Sequence, residues 1–279
     1  MDGEGSSSSS TKLEFAVQMS CRSCEDAVKK ALHAVPGVLG VQVDLAKEQV
    51  LVDTVLPSAQ VQSLIESTGK RAVLRGIGPT QGGPLGAAVA QLSGDGAVRG
   101  AVLGVVRFVQ LSPLTCAIEG TVDGLSPGPH GLHVHEFGDL TNGCFSCGGH
   151  FNPHRSNHGR PDDPNSHVGD LGNIIADEHG RASFRVNSGK IKVGDIIGRS
   201  VVVDETADDL GRGTHPLSKV TGNSGLGLAC GIIARSAGLF ENSKKKICTC
   251  DGVTLWDERD RPLAGPGRQG QQPAPTANL

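Results

Sequence analysis

The chain has no tyrosine, one tryptophan, two methionines and seven phenylalanines among its 279 residues. A core so poor in aromatics must rest on valine, leucine, isoleucine and alanine, and the 40 glycines add many turns. Such a β-branched, loop-rich composition suits an all-β domain. No apolar run approaches bilayer-spanning length, so no transmembrane helix or membrane insertion is expected. A strong charge of one sign is also missing. The formal net charge of −3 gives no pull toward nucleic acid or anionic lipid. The opening MDGEGSSSSSTK lacks a cationic n-region and an apolar h-region, so it does not read as a secretory signal or transit peptide. The expectation is a cytoplasmic protein, with a mitochondrial intermembrane-space or nuclear fraction as its variant, and residues 1–11 as a disordered tail.

What the chain does have is cysteine and histidine. In a reducing compartment, eight cysteines point to metal or redox chemistry more than to structural staples. Cys21/Cys24 and Cys144/Cys147 are C-x-x-C pairs, Cys248/Cys250 is a C-x-C pair, and Cys116 and Cys230 stand alone. The organising stretch is 131–170. His133 and His135 sit two apart in an apolar-alternating run, so a strand would point both to one face. His150, His158, His167 and Asp170 are spread through a long polar loop that cannot order itself by burial. Three imidazoles and a carboxylate suit tetrahedral zinc, which would order it. The bland alternative is a solvated histidine-rich loop.

In the first segment Leu13, Phe15 and Val17 alternate as a half-buried strand, followed by Cys21 and Cys24. Ala27, Val28, Ala31 and Leu32 then recur at helical spacing, stopped by Pro36-Gly37. Two strands joined at 46–48 follow, then a helix that Ser58 can cap, then a short strand from Ala72. The order is a ferredoxin-like βαββαβ unit over residues 12–76. Cys24 at a helix N-terminus has a lowered thiol pKa, and two thiolates at this spacing can clasp a soft Cu(I) ion. A thioredoxin-like redox pair shares the spacing, and Met19 reads as core rather than ligand.

A Gly/Pro-rich linker, 77–84, leads to a second domain over 85–238. Its first hairpin turns at 94–96, and the returning run, 98–111, is long, with an added bulge or a longer loop as the two readings of its length. Cys116 reads as a buried inert thiol. Cys147 reads as an exchange partner or a free thiol. His33, His154, His130, His179 and His215 read as surface residues. The end, 239–279, reads as a flexible C-x-C domain in which Lys244, Lys245 and Lys246 favour the thiolates of Cys248 and Cys250, for thiol exchange or as a copper clasp.

Several motifs carry a resemblance. They are His133-Val-His135-Glu-Phe-Gly-Asp139, Gly148-Gly-His150-Phe-Asn-Pro153, His167-Val-Gly-Asp170-Leu-Gly-Asn173 and Asp208-Asp-Leu-Gly-Arg-Gly213. With Gly222-Asn-Ser-Gly225 before Cys230, they resemble copper/zinc superoxide dismutase, which implies a Greek-key β-sandwich or barrel. The resemblance implies zinc on His150, His158, His167 and Asp170. It implies a remnant copper site of His133, His135 and His150, a disulfide between Cys144 and Cys230, and Asp208 as the carboxylate behind the histidines. Two positions depart from it. Asp204 stands where the enzyme has its fourth copper histidine, and Gly227 where it has a superoxide-steering arginine, so no dismutase turnover is expected. Met19-x-Cys21-x-x-Cys24 resembles the heavy-metal-associated domain.

Together the three parts resemble the family of copper chaperones for superoxide dismutase. That resemblance implies Cu(I) and Zn(II) as metals and a copper importer or other Cu(I) donor. It also implies homodimers alone and heterodimers with a superoxide dismutase subunit through an apolar patch. The rivals are an active dismutase with fused copper-gathering domains and a copper buffer without a client.

Overall fold

Leu13, Phe15 and Val17 are fully buried along β1 (Thr11–Val17), their partners coming from both helices of the first domain. α1 (Arg22–His33) begins directly after Cys21 and turns Cys24, Val28 and Leu32 inward, the one-sided burial that 3.6-residue spacing produces. β2 (Val38–Asp44), β3 (Gln49–Thr54), α2 (Ser58–Glu66) and β4 (Ala72–Pro79) complete the unit, with antiparallel order β2-β3-β1-β4. The structure is a computed structural model and describes residues 10–83, 85–96 and 100–241.

The second domain opens with a long hairpin, β5 (Ala87–Gly96) and β6 (Gly100–Ser112), followed by β7 (Thr115–Asp123) and β8 (Gly128–His135). A long excursion carries β9 (Thr141–Cys144) and returns at β10 (Asp170–Ala176). Then come β11 (Arg181–Ser188), the single turn α3 (Val193–Ile196), β12 (Ser200–Asp204), the turn α4 (Ser218–Thr221), β13 (Gly227–Ile232) and β14 (Ala234–Ser236). The antiparallel order β13-β12-β8-β10-β11-β7-β6-β5 closes on itself through β13 and β5, and β14 continues along β5. Closure removes sheet edges, and the interior is filled by residues such as Phe108, Ile118, Leu132, Val134 and Val201.

The additional length in β6 is regular strand, with a register shift only near Gln110. Phe108 turns into the barrel while Val109 joins the core of the first domain. The hairpin turn lies later than the expected 94–96, because Gly96 still pairs with Gly100.

Three expected boundaries move. Thr11 is not tail but the first residue of β1, 1% exposed. Ile77, Gly78 and Pro79 are not linker but the end of β4. Leu239 is not part of a free tail but buried. The expected tail at 1–9 and the Cys248/Cys250 pair lie outside the described residues.

The two domains are joined by a buried polar latch. Ser58 does not cap α2 with its own side chain; Pro57 stands at the cap position. Instead Glu119, from β7, accepts from the Ser58 amide (3.1 Å) and from its hydroxyl. A carboxylate on this free amide also meets the positive end of the helix dipole. Arg185, from β11, donates to Thr11 Oγ1 (2.8 Å) and to the Leu56 carbonyl (3.1 Å), and lies 3.9 Å from Glu119. Glu119→Ala should therefore destabilise the chain by about 2 kcal/mol, because charge-assisted bonds are lost and buried donors orphaned. Denaturant unfolding should then show the first domain melting ahead of the barrel; a single unshifted transition would contradict this.

Candidate metal centres

The end of the loop after β1 presents Cys21 and the first turn of α1 presents Cys24, with their sulfurs 3.3 Å apart. Cys21 is exposed and Cys24 is 6% exposed, so one side of the pair opens to solvent. Hydrogen bonding to Cys24 from the Ser20 backbone, then from Cys21 and Lys70, lowers its thiol pKa to about 6. Cys24 is thus largely thiolate near neutrality, as a Cu(I) ligand must be. Sequence reasoning missed Lys70. It lies 46 residues from Cys24 in the turn before β4, and no local pattern couples the two. Met19 is 5% exposed within the domain core.

In the barrel, β8 places Leu132 and Val134 inside and His133 on the outer face, which the polar loop covers so completely that His133 is fully buried. Asp170 pairs directly opposite His133 at the start of β10. Its Oδ1 lies 2.9 Å from His150 Nδ1, 3.0 Å from His158 Nδ1 and 3.1 Å from His167 Nδ1. Its Oδ2 accepts from the amides of Gly159 and His167, each 3.1 Å away. One oxygen is thus held by backbone, while the other meets three imidazole nitrogens.

The far sides of two rings are occupied: His158 Nε2 donates to Asp208 Oδ1 (2.8 Å) and His167 Nε2 to the Ser156 carbonyl (3.1 Å). These bonds set the tautomers so that Nδ1 is the open nitrogen. His158 Nδ1 is buried and makes no hydrogen bond, although it faces a carboxylate. Lone pairs converging on a carboxylate call for a cation among them. The donor set of three nitrogens and one oxygen fits zinc. Burial alone would raise the Asp170 carboxyl, but the imidazoles of His150, His158 and His167 gathered at its Oδ1 outweigh burial and hold it well below the usual carboxylate range.

His133, His150, His158 and Asp170 also lie with donor atoms within 4.8 Å of one another. His133 is nevertheless not free to ligate. It donates from Nδ1 to Asp204 Oδ2 (2.8 Å) and from Nε2 to Asp208 Oδ2 (3.0 Å). Burial opposes its charge, yet the two carboxylates dominate and raise its pKa to about 9. Asp204 also accepts from Ser224 Oγ (2.7 Å). His135 donates from Nδ1 to the Gly148 carbonyl (2.8 Å), and its Nε2 is buried without a partner. His135 and His150 thus keep their places, but the ring between Asp204 and Asp208 is spent on an ion network. A redox copper ion does not fit there.

The structure joins Cys144, on β9, to Cys230, on β13, across a Cα–Cα distance of 5.6 Å. Cys147 is a free thiol, wholly buried beside Val202 and Cys230, and burial raises its pKa. Burial likewise pushes Cys116 up to about 12. His130 is not a surface residue. It is 1% exposed, with Nδ1 donating to the Asp204 carbonyl (2.8 Å) and Nε2 3.1 Å from the Ser126 hydroxyl. Its alternation with Leu132 and Val134 was the available sign. Phe145 and Leu226, 73% and 58% exposed, flank the disulfide as neighbours of Cys144 and Gly227.

The model of the copper/zinc superoxide dismutase family matches residues 102–233, and that of the heavy-metal-associated domain matches residues 14–71. A human protein named copper chaperone for superoxide dismutase is 61% identical over 267 residues, covering 96% of this chain and 95% of its own. An Arabidopsis thaliana copper chaperone for superoxide dismutase, chloroplastic/cytosolic, is 40% identical, covering 88% of this chain and 69% of its own. The crystal structure of the clock protein EA4 superposes on 55% of this chain and 98% of its own, with a TM-score of 0.50 and 41% identity.

Proposed function

The chain belongs to the family of copper chaperones for superoxide dismutase, and we propose that it takes up Cu(I) on Cys21 and Cys24, docks on an immature dismutase subunit and delivers the metal. It is a metallochaperone and not an enzyme. The observation that carries this reading is the pairing of Asp204 with His133. It closes the barrel's own redox site, while the donor set at Asp170 remains in place to hold zinc and so keep the barrel folded. The copper cargo is then left to an open, soft sulfur pair, which a third thiolate can attack. His150, His158, His167 and Asp170 hold the zinc.

Docking uses the apolar surface around Phe145 and Leu226, in homodimers of the free chain and in heterodimers with the client. The donor to Cys21/Cys24 is a copper importer or another Cu(I)-thiolate carrier. The working compartment is the cytoplasm. The Cys248/Cys250 pair carries thiol exchange. With molecular oxygen as the two-electron acceptor that first oxidises this pair to a disulfide, attack by a client thiolate opens it through a mixed disulfide, the client's second thiolate closes the client's disulfide, and the tail pair leaves reduced.

The test mixes the copper-loaded chain with zinc-bound, copper-free, reduced dismutase and follows client activity and disulfide formation. The intact chain should activate the client. Cys248→Ser/Cys250→Ser should slow activation at least about tenfold, because it lacks the exchanging thiolates. Equal activation by both chains, or none by the intact one, would sink the reading.

A further inference from the structure

One short segment makes contacts that the reading above does not use. After β14 the chain leaves the barrel and lays residues 238–241 on the first domain. Phe240 donates its amide to Glu14 Oε2 (2.8 Å), while Glu14 Oε1 accepts from Gln49 Nε2 (2.7 Å). Glu14 is fully buried although it lies in the middle of β1. Leu13, Phe15 and Val17 turn to the helices, so Glu14 belongs to the opposite face of the sheet, which an isolated domain would leave to water.

The facing strand is shaped to the segment. Gly76 pairs with Glu14, and a Cβ there would stand 2.6 Å from the Gly238 carbonyl oxygen. A Cβ at Gly78 would stand 2.8 Å from Leu239 Cβ. Leu239 is 8% exposed in this seat. The segment is closed by the Gly238 amide donating to Glu241 Oε2 (2.7 Å). Phe240 has φ +65°, a conformation that a bulky residue keeps only where its surroundings hold it.

We propose that Glu14, Gly76 and Gly78 form a receptor for residues 238–241, and that Glu14 is a positioning residue which roots the C-terminal segment on the copper-acquiring domain instead of on the barrel. The reach agrees. From Phe240 to Cys248 is eight residues, and from Glu14 to Cys21 seven, so the contour lengths are about 27 Å and about 24 Å. The seat therefore gives Cys248 and Cys250 access to Cys21 and Cys24 of the same molecule. Its functional meaning rests on the chaperone reading, but its existence does not.

Two variants address the seat: Gly78→Val, which fills the space of Leu239, and Leu239→Ser, which removes the buried side chain and leaves the first domain intact. Amide exchange on the full-length chain should show Phe240 protected at least about tenfold, as for a buried hydrogen-bonded amide, and both variants should lose that protection. A short bismaleimide should link Cys21 or Cys24 to Cys248 or Cys250 within one monomer. In both variants the yield should fall about twofold or more, since the sequence separation between Cys248 and the last seated residue then grows from eight residues, counted from Phe240, to twelve, counted from Ser236. A Phe240 amide exchanging at the free-peptide rate in the wild-type chain, or cross-linking unchanged in both variants, overturns the proposal. Neither readout involves copper or a client. Failure here would leave the chaperone reading standing, and failure to activate a dismutase would leave the seat standing.

Discussion

Asp170→Asn should weaken zinc binding by more than about a hundredfold, since one of four ligands supplies roughly 3 kcal/mol of the 10–16 kcal/mol typical of structural zinc. Shape is not at issue. An asparagine oxygen can still accept from Gly159 and His167, so the loop keeps its backbone partners. What disappears is the single negative charge on which His150, His158 and His167 converge. Because the metal binds only the folded chain, lost affinity becomes lost stability. The melting temperature of the zinc-loaded variant should fall to near that of the wild-type chain in chelator. Asp162→Asn, in the same loop but with its side chain 71% exposed, should change neither. Competition with a chromophoric chelator measures the affinity; a variant holding zinc within a few-fold of wild type would refute the assignment of Asp170.

The second large effect concerns the closed site beside it. Asp204→His should give the barrel a Cu(II) affinity more than about a hundredfold above wild type. Freeing His133 from a charge-assisted bond recovers roughly 1.5–3 kcal/mol of ligand availability, and the new imidazole adds a donor. His135 Nε2, buried and unpartnered, is already waiting. The readout is the Cu(II) absorption and electron paramagnetic resonance of the loaded barrel with Cys21 and Cys24 blocked. Dismutase turnover should appear but stay below that of a true dismutase, because Gly227 offers no cation. Nor could one be added simply: a Cβ at Gly227 would stand 2.7 Å from Val202 Cγ1 and 2.8 Å from Cys144 Cβ. If Asp204→His takes up no more copper than wild type, the ion pair is not what shuts the site.

The features legible in the sequence were those set by neighbours along the chain. Alternation at Leu13, Phe15 and Val17, helical spacing at Val28 and Leu32, and the motifs around His133, His150 and Asp170 each declare an element or a donor locally. What escaped depends on segments far apart. Ser58 reads as its own cap because nothing nearby announces a carboxylate 61 residues on. His130 reads as exposed because the carbonyl it donates to lies 74 residues on, in β12, although its alternation with Leu132 and Val134 was a local sign. The linker and tail boundaries slipped for the same reason. Gly78 looks like spacer and Leu239 like the fading of a pattern, until β4 and residues 238–241 are seen to cover each other. Asp204 stands out in the sequence as a departure from the dismutase motif, but its bond to His133 does not.

The latch at Glu119 and Arg185 has one more consequence. It grips Thr11 and Ser58, which lie at one end of the first domain, whereas the cysteine loop follows Val17 at the other. Seven strand residues separate the two ends by about 20 Å. The barrel is therefore fastened to the end of the first domain remote from Cys21, and its grip leaves the open side of the sulfur pair uncovered.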